Sequence, residues 1–257
     1  MSKKVIVITG GSAGIGAALA RLLGSQGHRL VLAARREREL HEVAHSSGYD
    51  AVAVVADVTN REDVFRLKDT AIQKCGRIDV WINNAGRGIV RPVLELTDDD
   101  VDQMMTINVK SVLYGMQAVI PHFQERGEGH LINVSSFLAT IPWVSVRSAY
   151  IAAKAAVDVL TNVLRMDLAE KYPGIHVSLA IPAVVLTEFG QNVIGAPPPR
   201  PASVPPNAQT AEDVAAAIAS LVDHPRSTLY TNPTSPALIR RYREDPDAFV
   251  QQMIRRP

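Results

Sequence analysis

Short runs of apolar, largely β-branched residues recur along the chain, and each gives way to a polar break and then to apolar positions spaced three and four apart. Val5–Ile8 is apolar at every position, the habit of a strand covered on both faces of a parallel sheet. Beyond a cluster of glycines, Ile15, Leu19, Leu22 and Leu23 keep helical spacing. The same alternation predicts strands at Arg29–Ala34, Ala51–Ala56, Ile78–Ile82, His130–Val134, Ile175–Ile181 and Thr228–Thr231. Helices are expected at Glu37–Ser46, Arg61–Cys75 and, behind Thr97 as cap, Asp98–Ile120 with an interruption near Asn108. Another opens around Tyr150, and Thr210 with Asp213 resembles a capping box ahead of the stripe Val214, Ile218, Leu221, Val222. Strands alternating with helices predict an α/β fold, a doubly wound parallel sheet of about seven strands with helices on both faces and ligands at the strands' carboxyl ends.

Composition narrows the classes. At 257 residues, with 47% hydrophobic and 21% charged, the chain suits one soluble domain over 1–257. Its 27 basic and 26 acidic residues leave no bulk charge for nucleic acid or an anionic membrane. The lone Cys75 excludes an internal disulfide and a cysteine-built metal site, and fits a reducing compartment. No signal peptide precedes Val5 and no apolar run reaches bilayer length, so a cytoplasmic protein is expected.

The glycines carry the first chemistry. Gly10, Gly14 and Gly16 sit where a strand ends and a helix begins, a turn that aims backbone N–H groups and a helix dipole at one spot and suits a phosphate. Gly10–Gly14 also spells G-x-S-x-G, but an esterase elbow needs an earlier strand and loop, and only nine residues precede Gly10. About twenty residues on, where an acid would bind a ribose 2′-hydroxyl, stand Ala34, Arg35 and Arg36, whose guanidinium forks suit a 2′-phosphate. The plainer alternative is two solvated arginines opening a charged helix. His41-Glu42-Val-Ala-His45 matches a zinc signature by spacing, yet no further ligand lies nearby, and no metal is expected.

Tyr150 and Lys154 share one helix face a turn apart, an arrangement in which an ammonium favours the phenolate and so equips a tyrosine for acid and base work; taken alone, the plainer alternative is two surface residues on an amphipathic helix. A buried Asn108 among Ile107, Val109 and Val112 needs partners, for a kink or for function. Thr9–Gly16, Asn83-Asn-Ala-Gly86, Asn108, Ser136 and Tyr150-x-x-x-Lys154 come in the order and near the spacing of the short-chain dehydrogenase/reductase family. Over residues 3 to about 231 the chain resembles its compact Rossmann-like branch. The resemblance implies that Ser136 holds the substrate carbonyl, Tyr150 transfers the proton, Lys154 binds the nicotinamide ribose, and Asn108 anchors a water-linked relay. It implies a cofactor lined by Gly10, Ser12, Ala13, Gly14, Ile15, Gly16, Arg35, Arg36, Asp57, Val58, Asn84, Ala85, Gly86, Tyr150, Lys154, Pro182, Val185 and Thr187. Two departures stand out. Ser136 precedes Tyr150 by fourteen positions, one more than is common, which keeps Ser135 as a rival; and Ala183 follows Pro182 where the family has glycine.

Phe137, Ile141, Trp143, Val144, Phe189, Val193 and Ile194 are apolar where loops are expected, which favours an apolar carbonyl over a free sugar, with ordinary packing under a loop as the alternative. A substrate loop is expected at about 186–209, with Ala196–Pro201 as a stiff lid. The tail, 232–257, carries Arg240, Arg241, Arg243, Arg255 and Arg256, most simply on a solvated face. The expectation is therefore an NADP(H)-dependent oxidoreductase, preferring NADP(H) over NAD(H), that interconverts a small-molecule carbonyl and an alcohol as a homo-oligomer, dimer or tetramer. A 3-oxoacyl-thioester reductase is the rival enzyme and a non-catalytic NADP-binding sensor the rival of another class.

Overall fold

In the computed structural model, β1 (Val5–Thr9) is buried at all five positions, as its unbroken apolar run requires. Val7 enters one hydrophobic cluster while Ile6 and Ile8 enter the other, and β2 (Arg29–Ala34) divides its residues likewise. The structure describes residues 3–254 apart from 49, 143, 191 and 196–206. The remaining strands of the central sheet are β3 (Val52–Val55), β4 (Val80–Asn83), β6 (Gly129–Val134), β7 (Ile175–Ile181) and β11 (Thr228–Tyr230). The sheet is seven-stranded, parallel throughout, in the order β11-β7-β6-β4-β1-β2-β3. Strand order reverses between β1 and β4, which opens the crevice where ligands lie in such sheets.

One face carries α1 (Gly14–Ser25), α2 (Glu37–Ser46) and α8 (Ala211–Asp223). The other carries α3 (Arg61–Cys75), α5 (Ser111–Arg126) and α7 (Ser148–Ala169), with α4 (Asp98–Met105) leading into α5 through one π-helical turn at Thr106–Lys110. That turn is the interruption expected near Asn108. The stop expected at Ile120 does not occur: α5 runs through Pro121, holds Phe123 fully buried and ends at a left-handed Gly127. The capping boxes at Thr97 with Asp100 and Thr210 with Asp213 both form.

Short pieces that no periodicity marked dress the crevice: β5 (Gly88–Val90) pairs with β9 (Val193–Gly195), and β8 (Val185–Leu186) with β10 (Gln209–Thr210), while α6 (Phe137–Thr140) follows β6. The tail folds as α9 (Ser235–Glu244) and α10 (Pro246–Ile254), joined by the Tyr242–Phe249 ring contact at 5.6 Å, with Arg240, Arg241 and Arg243 exposed. The lid at Ala196–Pro201, Trp143, Arg255 and Arg256 lie outside the described residues. Among the described residues no helix is long and apolar enough to cross a membrane.

At the far end of the sheet His130 is buried, bonded by Nε2 to Ser178 Oγ at 2.8 Å, and its Nδ1 has no partner among the described residues. Burial drives its pKa from 6.5 down to about 3, with the His176 ring adding to the shift. The unfolded chain therefore takes up this proton first: stability is complete above pH 6.5 and drains away as pH falls toward about 3. Urea unfolding at pH 7 and pH 5 should cost the wild type about 2 kcal/mol more than His130→Gln. Equal losses would contradict this.

Candidate active site

The glycine turn is shaped by what cannot fit. Gly10 and Gly14 take left-handed φ values of +69° and +53°, and a Cβ at Gly10 would come within 2.9 Å of Ala85 Cα. Helix α1 starts behind Ala13, which offers no capping side chain, and has no acid in its first turn, so its N–H groups stand ready for an anion. Asn84 ties this turn to the end of β4: its Nδ2 donates to the Thr9 carbonyl at 2.9 Å, and Thr9 Oγ1 accepts from the N–H groups of Asn84 and Ala85 at 3.0 and 3.2 Å. Thr187 lies on the turn's other side, 3.5 Å from where a Gly14 Cβ would be. Val185 is held in β8, and the Pro182 carbonyl accepts from Phe137 N–H at 2.8 Å, with Ala183 half-buried against the core.

Both arginines after β2 border this cradle. Arg36 donates to Ser12 Oγ at 3.4 Å and lies 3.7 Å from Glu188, while Arg35, mostly exposed, stands 3.8 Å from Asp57. Asp57 also accepts from Thr59 N–H and Oγ1, closing the turn after β3 that carries Val58. These exposed pairs are worth little to stability, which leaves the guanidinium groups free to exchange partners.

Tyr150 is buried, with the Phe189 ring centroid 5.6 Å from its own and Lys154 Nζ 6.0 Å from its centroid. Lys154 is buried too and donates to the Val134 carbonyl at 2.8 Å. The two serines at the end of β6 differ. Ser135 is bonded to Asp158 and approaches the Lys154 carbonyl at 3.5 Å, whereas Ser136 faces Tyr150 and accepts from Leu138 N–H at 3.3 Å. Ser135 is thus committed elsewhere and Ser136 is the hydroxyl beside the phenol. Asn108, fully buried in the π-turn, accepts from Arg87 N–H at 3.2 Å and donates to the carbonyls of Arg87 at 3.0 Å and Met104 at 3.2 Å. Gly86 leaves the gap between them: its Cβ would stand 2.9 Å from Asn108 Oδ1 and 3.5 Å from Lys154 Nζ.

Burial dominates the electrostatics. It raises the Tyr150 pKa, against the pull of the Ser136 hydroxyl and of Arg147. It lowers Lys154 to about 8, opposed by the Asp158 charge, and raises Asp158 to about 6. Tyr150, Lys154 and Asp158 follow one another at four-residue intervals along α7, so one helix face carries a phenol, an ammonium and a carboxyl.

Of the apolar residues expected to wall the site, Phe137, Ile141 and Val193 are buried in packed structure and Phe189 packs its ring on the phenol. His41, Glu42 and His45 lie on the exposed face of α2, and among the described residues no three His, Cys, Asp or Glu side chains gather as a metal site. Sequence reasoning missed the polar chain that seats α7. Trp81 Nε1 donates to Asn83 Oδ1 at 2.7 Å, Asn83 to Asn133 Oδ1 at 2.8 Å, and Asn133 to Thr161 Oγ1 at 2.9 Å. Its signal was present: asparagines ending two apolar runs, which pair directly across β4 and β6. Asp158 was equally visible, one helical turn past Lys154.

A family model described as short chain dehydrogenase matches residues 4–196. YxnA of Bacillus subtilis, an uncharacterized oxidoreductase, is 34% identical over 242 residues, 93% of this chain and 68% of that protein. The crystal structure of a short chain dehydrogenase/reductase from Burkholderia phymatum in complex with NAD superposes with a TM-score of 0.85 at 27% identity, covering 96% of this chain and 95% of that one. An alcohol dehydrogenase from Thermococcus sibiricus complexed with 5-hydroxy-NADP does so with a TM-score of 0.76 at 25% identity, covering 89% and 96%.

Proposed function

Because the chain belongs to the short-chain dehydrogenase family of nicotinamide-dependent oxidoreductases, we propose that it interconverts a carbonyl and a secondary alcohol, with Tyr150 as general acid and base. The observation that carries this reading is a buried phenol with a facing serine and a buried ammonium, the ammonium lying against the Asn84–Gly86 segment that also borders the uncapped glycine turn. When bound, the cofactor supplies or takes up the hydride. Ser136 and Tyr150 hold the substrate oxygen between two hydroxyls. Tyr150 hands its proton to that oxygen as negative charge grows there and takes it back in the oxidative direction. Lys154, kept charged below about pH 8, favours the phenolate left behind. Asn108 holds Arg87, the residue before β5, against the end of α4, and a water bound there would link Lys154 to solvent. The Phe189 ring packed on the phenol would help exclude water, which strengthens each of these interactions.

Gly10, Ser12, Ala13, Gly14, Ile15 and Gly16 would hold the diphosphate, Asn84, Ala85 and Gly86 the adjoining wall, Asp57 and Val58 the adenine, and Pro182, Val185 and Thr187 the carboxamide end. Arg35 and Arg36 favour NADP(H) over NAD(H), since an exposed guanidinium pair at this strand end suits a 2′-phosphate. Arg35→Ala should lower the NADPH over NADH preference about tenfold or more, the worth of one charge-assisted bond. An unchanged preference would remove Arg35 from the site. The same reading makes the protein a cytoplasmic homo-oligomer, dimer or tetramer. Val159, Val163 and Met166, exposed along one face of α7, support association. A screen of NADPH oxidation over apolar ketones and aldehydes tests the activity; turnover only of polar sugars would contradict an apolar substrate.

A further inference from the structure

One cation beside the phenol has no counter-charge. Arg147 stands three positions before Tyr150, at the residue that caps α7. Its guanidinium reaches the β5–β9 edge: a Cβ on Gly88 would lie 2.7 Å from Arg147 Nη1 and 3.2 Å from both Phe189 Cε1 and Val193 Cγ1. Phe189 is the ring that packs on Tyr150, so the guanidinium and the phenol flank the same apolar side chain. The described residues include every Asp and Glu of the chain, and among them Arg147 forms no ion pair. Its neighbour Arg91 does have a counter-charge: its backbone N–H donates to the Val146 carbonyl and its Nε lies 2.9 Å from a carboxylate oxygen of the buried Asp100. Arg87 Nε, Arg91 Nε and Ser148 Oγ are buried with no hydrogen-bond partner among the described residues.

A half-buried guanidinium with no anion is costly, and burial does lower the Arg147 pKa. The cost is offset when an anion enters, and the planar fork matches a carboxylate in two bonds. We propose that the substrate carries a carboxylate as well as its carbonyl or alcohol, and that Arg147 is the counter-charge that holds it beside Tyr150. This rests on the carbonyl–alcohol reading above and narrows it to oxo-acids or hydroxy-acids with an apolar remainder. Arg87 adds positive potential at the same edge.

The test compares matched pairs, benzoylformate with its methyl ester and 4-oxo-4-phenylbutanoate with its methyl ester, as substrates for NADPH oxidation. Wild type should favour the acid in at least one pair, and Arg147→Gln should lower the acid-to-ester ratio of kcat/KM by about 10- to 100-fold. Taking the ratio cancels whatever loss of the cation does to the phenol. Arg147→Lys, which keeps the charge, should retain most of the ratio. A wild type that favours the esters, or a ratio unmoved in Arg147→Gln, overturns the proposal. If no member of the panel is reduced, the carbonyl–alcohol reading is what fails. The anion site is then judged by benzoate: stabilisation of wild type against heat, lost in Arg147→Gln, supports it, and equal or absent stabilisation overturns it.

Discussion

Tyr150→Phe should lower kcat/KM for carbonyl reduction by about 10²- to 10⁴-fold, the contribution of a positioned proton donor, which is about 3–5 kcal/mol of barrier. The fold should hardly notice. Phe keeps the ring that packs on Phe189, and loss of the phenol oxygen leaves the Ser136 hydroxyl short of one partner, a cost of no more than about 1–3 kcal/mol. The protein should therefore stay folded, with a melting temperature lowered by a few degrees at most, while turnover collapses. Wild-type turnover should also fall as pH rises beyond about 8, because Lys154, whose pKa burial lowers to that value, loses the charge that supports the phenolate. A Phe variant that retains turnover would leave the proton transfer to another group and favour a binding protein over an enzyme.

Gly16→Ala should damage the other half of the site. Gly16 is buried where α1 begins, and its Cβ would overlap the Gly10 carbonyl oxygen and come within 2.6 Å of Asn84 Nδ2. Neither neighbour can yield freely, since Gly10 is in the left-handed turn and Asn84 is bonded to Thr9. Overpacking of this kind costs about 1–3 kcal/mol. Because the atoms that must move form the cradle, the dissociation constant for NADPH should rise at least about tenfold. Gly190→Ala, where a Cβ meets nothing within 4 Å among the described residues, should change stability by no more than about 0.5 kcal/mol. If the two alanines behave alike, the close approach at Gly16 is not what shapes the turn.

The layers were legible because burial on both faces leaves a plain trace, so the apolar runs at Val5–Ile8 and Ile175–Ile181 mark strands that the sheet contains. Helices α2 and α3 begin and end where their charge patterns and caps place them. Pro121 misled because a proline signals a stop only when nothing beyond it needs burying, and Phe123 does. Strands β5, β8, β9 and β10 were invisible because two or three residues carry no period. Within the candidate site, the shared helix face of Tyr150 and Lys154 was readable from spacing, whereas Ser136 was set before Ser135 by resemblance and not by any contact. The structure distinguishes the two by Asp158 lying within reach of Ser135, a contact between β6 and α7 that no local pattern encodes. Arg147 escaped notice for the converse reason: what marks it is the absence of any acid around it in space, although acids are plentiful in the chain.

The most direct test is to offer the protein NADPH deuterated at the transferable position of the nicotinamide, together with the carbonyl panel, and to weigh the alcohol formed. The account predicts one deuterium on the carbinol carbon of the alcohol formed by wild type, and about 10²- to 10⁴-fold less of that alcohol from Tyr150→Phe in the same time. Cofactor left unconsumed across the whole panel, or alcohol formed without deuterium, would contradict it.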